Sequence, residues 1–90
     1  MKFEYDPAKN QSNIAKHGIS FEQAKAVFND ADRLVFSDKR QAYGKERLIT
    51  IGLVENVLTV VYTLRNASTR IISARRASKN ERKNYQNPLG

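Results

Sequence analysis

Basic side chains dominate the last third of this chain, and arginine is the side chain best suited to bind a phosphate group. Between residues 65 and 87 there are seven Lys or Arg residues and one acid, Glu81, a local charge of +6 out of the formal +7 of the chain. Residues 1 to 38 carry five bases and six acids, so the charge is not evenly spread. A guanidinium binds phosphate through paired hydrogen bonds and keeps its charge. We therefore expect a polyanionic partner.

Four of these bases lie on or beside two neighbouring predicted strands: Arg65, Arg70, Arg75 and Arg76. Because successive strand residues point to opposite faces, Arg70 and Arg76 are predicted to share one face and Arg75 the other, unless a bulge intervenes. Such cations suit both RNA binding and the stabilisation of a phosphorane transition state. The simpler interpretation is a solvated edge with surface ion pairs to Glu46 or Glu55.

His17 is the only histidine and lies at the predicted end of the first helix. Histidine is the side-chain type whose ordinary pKa lies near neutrality, so His17 is a candidate for proton transfer. A lone histidine at a helix end is more often a capping or surface residue, and both interpretations stay open. Asn10 and Asn13, on the same helix, are expected to form a structural amide network.

Two tyrosines have the means to contact an RNA base or phosphate. Tyr62 alternates with apolar neighbours, which favours a core position. Tyr85 lies among polar and basic residues of the last predicted helix. It either anchors that helix to the sheet or faces a ligand, and the sequence leaves the two roles open.

Size and composition exclude several classes of protein. Ninety residues form one small domain, residues 1 to 90, and the absence of cysteine excludes disulfides and thiolate metal sites. With one histidine and no spaced acidic cluster, we expect no metal and no cofactor. No apolar run approaches the roughly 20 residues of a membrane span, and the N-terminus lacks the apolar stretch of a signal peptide. We therefore expect a soluble, cytoplasmic protein with no membrane partner.

The pattern of apolar residues predicts an α+β fold. Capping signals place helices from Asp6-Pro7 to Gly18, from Ser20 onward, and over 79–86. Alternating patterns place strands at 2–5, 33–37, 47–54, 57–64 and 69–76. We expect an antiparallel β-sheet with the two N-terminal helices packed on one face and a C-terminal helix.

The strand pattern also predicts which face is covered. Three β-branched or leucine positions of each central strand are assigned to the covered face: Ile49, Ile51 and Leu53, with Leu58, Val60 and Leu64. A more polar face is assigned to Thr50, Gly52, Thr59 and Thr63. A ligand is expected on that polar face.

Several segments carry a family resemblance. They are Tyr5-Asp6-Pro7-Ala8-Lys9, Asn13, the block from Lys16-His17-Gly18 through Ser20-Phe21-Glu22-Gln23-Ala24, Gly44-Lys45-Glu46-Arg47, Tyr62, the block Arg70-Ile71-Ile72-Ser73-Ala74-Arg75-Arg76-Ala77, and Glu81-Arg82 with Tyr85. The two long blocks are specific, and the match extends from about residue 3 to residue 86. On these residues the chain resembles the BrnT toxin family. Tyr5 departs from the tryptophan found in many members, which affects packing and leaves the site assignment unchanged.

The resemblance implies a RelE-like fold and a ribonuclease toxin of a type II toxin–antitoxin module. It implies metal-independent RNA cleavage that inhibits translation. It also implies neutralisation by a BrnA-like ribbon-helix-helix antitoxin, with operator DNA contacted only through that antitoxin. The alternative is a basic module without catalytic activity that binds nucleic acid or docks an antitoxin.

By analogy with small RelE-like nucleases, Arg75 or Arg76 together with Arg65 would bind the scissile phosphate, and His17 or Tyr85 would transfer protons. The remaining basic residues would contact RNA more widely: Lys16, Arg47, Arg70, Lys79, Arg82 and Lys83. No residue is assigned to a metal.

Overall fold

The computed structural model describes residues 1–38 and 47–87. Its strands are β1 (Lys2–Glu4), β2 (Leu34–Ser37), β3 (Leu48–Leu53), β4 (Val57–Arg65) and β5 (Ser68–Arg76). Its helices are α1 (Pro7–His17), α2 (Phe21–Lys25), which continues into a 3-10 turn at Ala26–Asn29, and α3 (Lys79–Gln86). The α+β class and the order of elements are confirmed. Within the described ranges, no helix has the length and apolar character needed to cross a bilayer.

The helix ends follow from local sequence. The Asp6 carboxylate accepts the N–H of Ala8 at 2.9 Å, Pro7 occupies the first turn, and Gly18 ends α1 with a φ of 71°. Ser20 and Gln23 exchange reciprocal hydrogen bonds at the start of α2. The predicted capping of α3 also forms, and its bounds match the prediction.

The sheet contains five strands in the order β1-β5-β4-β3-β2. The pairs among β2, β3, β4 and β5 are antiparallel, as predicted. β1 pairs parallel to β5, with Phe3 opposite Thr69, so the sheet is mixed rather than wholly antiparallel. β1 has only three residues and no hairpin to a neighbour, so local sequence gave no signal for its direction.

The core lies between the sheet and the first two helices. Phe21, Ala24 and Val27 are fully buried against Val60 and Ala74. Tyr62 is also buried, as predicted, with its ring edge-on to Phe28. This one layer of helix on sheet supplies most of the apolar burial of a small domain.

The predicted assignment of β3 to faces is wrong. Thr50 lies opposite Val60 and Gly52 opposite Leu58, so these two residues share the face covered by α1 and α2. A Cβ at Gly52 would lie 2.9 Å from Val27 Cγ1, which explains why glycine occupies this position. Three apolar residues therefore point to the other face: Ile49, Ile51 and Leu53.

The turn between β4 and β5 is strained at one residue. Asn66 and Ala67 adopt φ values of 49° and 65°, the two left-handed residues of a type I′ hairpin turn. Asparagine tolerates this conformation, whereas alanine does so at a cost of roughly 1–2 kcal/mol.

Ala67→Gly is therefore expected to stabilise the protein by about 1 kcal/mol, because glycine adopts left-handed angles without a Cβ clash. Chemical denaturation of the two proteins measures the difference. Asn66→Gly is the matched control and should gain less. An unchanged or lower stability of Ala67→Gly would contradict this account of the turn.

Candidate functional site

A β-bulge decides which face each arginine occupies. Ser73 pairs with Val61 whereas Ile71 pairs with Tyr62, so Ile72 is an extra residue on β5. As a result Arg70 and Arg75, opposite Thr63 and Thr59, share one face. Arg76, opposite Leu58, points to the face covered by α1 and α2. The expectation that Arg70 and Arg76 share a face is therefore wrong, because the bulge reverses the alternation between them.

The arginines also lie at two ends of the sheet. Arg65 pairs with Ser68 beside the β4–β5 turn, which we call the turn end. Arg76 pairs with Leu58 at the opposite end, which we call the groove end. On β4, Leu58 and Arg65 are seven positions apart, or about 23 Å at the rise of a strand. The structure does not bring Arg65 together with Arg75 and Arg76 on one phosphate.

Arg70 lies towards the turn end and is half-buried. Its Nη1 is 3.8 Å from Glu4 Oε1 on the neighbouring strand β1. This long contact leaves most of the guanidinium's hydrogen-bonding capacity available. Arg70 is thus placed to contact a polyanion at the turn end.

Arg75 is engaged in an ion pair that fastens α3 to the sheet. Its Nη1 and Nη2 donate to the two carboxylate oxygens of Glu81 at 2.7 and 3.0 Å. Glu81 also accepts from the Thr59 hydroxyl at 3.1 Å and from the Ser78 N–H at 2.8 Å. One carboxylate thereby joins β4, β5 and the start of α3.

These contacts favour the charged form of Glu81. The hydrogen bonds from Arg75, against the opposing effect of burial, lower the Glu81 pKa from 4.5 to about 2. A carboxyl with a lowered folded-state pKa stabilises the fold above its unfolded pKa, and loses that contribution as the pH falls towards the folded value. The contribution of Glu81 is therefore complete above about pH 4.5 and disappears towards pH 2.

Glu81→Gln is expected to be less stable than the wild type at pH 7, by about 1–3 kcal/mol, since Glu81 is partly exposed and screened. Between pH 5 and pH 2 it should lose less stability than the wild type, because it has no carboxyl to protonate there. Thermal unfolding across this pH range measures both effects. Parallel pH profiles for the two proteins would show that Glu81 does not stabilise the fold through its charge.

Tyr85 makes a second attachment of α3. Its hydroxyl donates to Asp30 Oδ2, which also accepts the Leu53 N–H at 2.8 Å. The bond to Asp30, aided by burial, raises the Tyr85 pKa to about 12. The Leu53 N–H and the Tyr85 hydroxyl in turn lower the Asp30 pKa. Tyr85 therefore anchors α3 in this structure, which is one of the two roles that the sequence left open.

Arg76 differs from Arg75 in having a free side chain. It is exposed, and its guanidinium has no ion-pair or hydrogen-bond partner among the residues that the structure describes. It lines a groove of about 270 Å³ between the end of α1, the start of α2 and the β3–β4 hairpin. Gly18 and Leu58 line the same groove. A cation beside a concave surface is a suitable place for a phosphate ligand.

His17 lies at the same end of the sheet. It is exposed in the last turn of α1, directly before the groove residue Gly18. The buried Asn13 amide donates to the carbonyls of Ile19 and Ala74, both at 2.8 Å, and so fixes this helix end against β5. Asn13, which was expected to be structural, thus holds the segment of His17 near Arg76.

The other basic candidates divide between the two ends. Lys16 is exposed beside His17 at the groove end. Arg47 is exposed just before β3, and its carbonyl accepts the Asp38 N–H at 2.8 Å. On α3 the exposed bases are Lys79, Arg82 and Lys83, and Arg82 Nη1 also donates to the Ala77 carbonyl at 3.0 Å. Residues 44–46 of the family motif, including Glu46 as an ion-pair partner, lie outside the described residues.

Sequence reasoning missed Asp30 and the groove. The sequence pattern assigns no contact to Asp30, yet its carboxylate accepts hydrogen bonds from both the Leu53 N–H and the Tyr85 hydroxyl. The groove is formed by segments far apart in the chain, among them Gln23 and Asn56. The one local signal for Asp30 is its position directly after a helix. The sequence holds no local signal for the groove.

Comparison with known proteins supports the family resemblance and the fold. A family model described as "Ribonuclease toxin, BrnT, of type II toxin-antitoxin system" matches residues 5–81. The crystal structure of the Brucella abortus ribonuclease toxin BrnT matches with a TM-score of 0.69 and 30% identity, covering 88% of this chain and 99% of that chain. No curated protein matches the chain. The family match spans most of the sequence, and the chain therefore belongs to the BrnT family of ribonuclease toxins of type II toxin–antitoxin systems.

Proposed function

We propose that this protein is an endoribonuclease toxin that cleaves RNA by internal transesterification without a metal ion, and so inhibits translation. The observation that carries the proposal is the free guanidinium of Arg76 beside a groove, at the sheet end that also holds His17. The chain has one histidine and no cysteine, which favours proton transfer and cationic stabilisation over metal chemistry.

The reaction needs a base, an acid and a cation that stabilises the charge on the non-bridging oxygens. A base removes the proton of a ribose 2′-hydroxyl, the 2′-oxygen attacks phosphorus, and the bond to the 5′-oxygen breaks as an acid protonates it. The products are a 2′,3′-cyclic phosphate and a 5′-hydroxyl. We assign the developing charge on the non-bridging oxygens to Arg76, and one of the two proton transfers, at the 2′-oxygen or at the 5′-oxygen, to His17. Water takes up or supplies the other proton.

The remaining candidates take supporting roles in this proposal. Arg75 and Tyr85 position α3 through Glu81 and Asp30, and the exposed bases of α3 would contact RNA outside the groove. Arg65, about 23 Å from Arg76 along β4, would contact RNA outside the cleaved bond. Arg70 and Arg47 would do the same, while Lys16 would assist at the groove end.

The family also supports a specific partner. We propose that a BrnA-like ribbon-helix-helix antitoxin binds this toxin in the cytoplasm, and that operator DNA is contacted only through the antitoxin. Because Arg65 and Arg76 point to opposite faces of the sheet, the antitoxin would cover a face that holds only one of them, or a neighbouring surface. Co-elution of toxin and antitoxin from a sizing column at micromolar concentration tests the complex, and separate elution would exclude it.

Incubation of purified, antitoxin-free protein with RNA, with and without chelator, tests the activity. We expect defined fragments ending in 2′,3′-cyclic or 3′-phosphate, unchanged by chelator. Loss of cleavage in chelator would overturn metal independence. Fragments with 3′-hydroxyl ends would overturn transesterification.

The second candidate is a module that binds RNA or the antitoxin without cutting. It is favoured by one observation: Arg75 and Tyr85, two of the candidate catalytic residues, are committed to structural contacts. Intact RNA with a mobility shift in the same assay would select this function.

A further inference from the structure

We propose that the groove beside Arg76 binds a nucleobase of the RNA strand, and thereby sets which base adjoins the cleaved phosphate. This inference rests on the proposed ribonuclease function. The scissile phosphate is proposed to bind Arg76, and this inference assigns a ligand to the rest of the groove.

The floor of the groove is apolar and its size is small. Ile19 and Leu58 line it and are 7% and 5% exposed, so they form a rigid floor backed by the core. The volume of about 270 Å³ lies just below the range of roughly 300–1,000 Å³ that holds drug-sized ligands. An apolar floor in a small groove suits one planar ring system.

The rim carries the side chains that read base edges. Gln23 Oε1 accepts the Ser20 N–H at 2.8 Å in the capping box, so its Nε2 remains available to donate. Glu55 and Asn56 lie in the hairpin, are exposed, and have no side-chain partner among the described residues. Amides, carboxylates and guanidinium groups recognise bases through paired donors and acceptors.

The position of Arg76 connects this rim to the RNA backbone. Arg76 lines the same groove, so a phosphate bound to its guanidinium brings an adjacent base of the same strand to the floor and rim. The Glu55 carboxylate also disfavours a second phosphate inside the groove, because like charges repel. The groove is therefore suited to a base and not to another backbone segment.

Binding of four 2′-O-methyl hexanucleotides that differ at one central position in a uridine background tests the proposal. The 2′-O-methyl group blocks attack by the 2′-oxygen, so fluorescence anisotropy measures binding without cleavage. We expect the wild type to prefer one base on the order of ten-fold, the discrimination of one well-placed contact. Cleavage sites mapped on a mixed RNA should fall beside the same base.

Glu55→Gln and Asn56→Ala should each reduce this preference to about two-fold or less, since each removes a rim contact. Asp32→Asn is the matched control: it makes the same carboxylate-to-amide change at an exposed position outside the groove, and should leave the preference unchanged. Asn56 has no left-handed backbone angle, so alanine fits there. Thermal unfolding checks that each variant is folded.

The outcomes separate this proposal from the ribonuclease function. Intact RNA in the cleavage assay would overturn both, whereas cleavage of RNA without binding to any of the four oligonucleotides would overturn the base site alone. Cleavage of RNA without base preference, or a preference that survives both rim substitutions, would overturn the base site alone.

Discussion

Arg76→Ala is expected to lower the rate of RNA cleavage on the order of 10²-fold or more, with a much smaller loss of RNA affinity. The reason is that a cation placed on the non-bridging oxygens acts mainly in the transition state, where their negative charge increases. The Arg76 side chain has no partner among the described residues, so its loss should not unfold the protein. Single-turnover cleavage and anisotropy measure the rate and the affinity separately.

Arg65→Ala is the matched control for Arg76→Ala. Both are exposed arginines of the same strand pair, and they lie at opposite ends of it. Arg65→Ala should weaken binding modestly and reduce its salt dependence by about one phosphate contact, with the cleavage step unchanged. A folded Arg76→Ala protein with the wild-type cleavage rate would place the active site elsewhere.

His17→Ala is expected to slow cleavage by about 10²- to 10⁴-fold and to remove one limb of the pH–rate profile, which is the effect of losing a general acid or base. His17 is exposed, so stability should change little. The pH dependence of single-turnover rates measures the effect, and thermal unfolding confirms the fold.

Tyr85→Phe separates the two proton-transfer candidates. In the wild type the Tyr85 hydroxyl donates to Asp30, and the pKa of Tyr85 is raised to about 12. The variant should therefore lose about 1 kcal/mol of stability and little activity. The reverse result, an inactive Tyr85→Phe and a fully active His17→Ala, would exchange the roles proposed for the two residues.

Arg75 illustrates why loss of toxicity alone does not identify a catalytic residue. Arg75→Ala leaves the Glu81 carboxylate half-buried with its cationic partner removed, which costs stability and loosens α3. Toxicity would then fall without any catalytic role for Arg75. The cleavage rate of the folded fraction distinguishes this from the effect at Arg76.

Local sequence determined the elements and their ends. The bounds of α3, the capping boxes and the left-handed Gly18 depend on contacts within a few residues, so a single segment contains the information. The net charge and the specific blocks around His17 and Arg75 are also contained in the sequence, since they depend on residue types alone. These local signals were enough to predict the fold class and the family.

Tertiary structure decided how these residues are arranged. One extra residue at Ile72 reverses the face of every later side chain on β5, and no local signal marks it. The inverted face of Thr50 and Gly52 likewise follows from pairing with β4. Tyr85 forms a hydrogen bond with Asp30, which is 55 residues away in the sequence. The groove is lined by segments that are just as far apart in the sequence. Strand register and such long-range contacts minimise the free energy of the whole domain, so residue types and spacing alone did not determine the site.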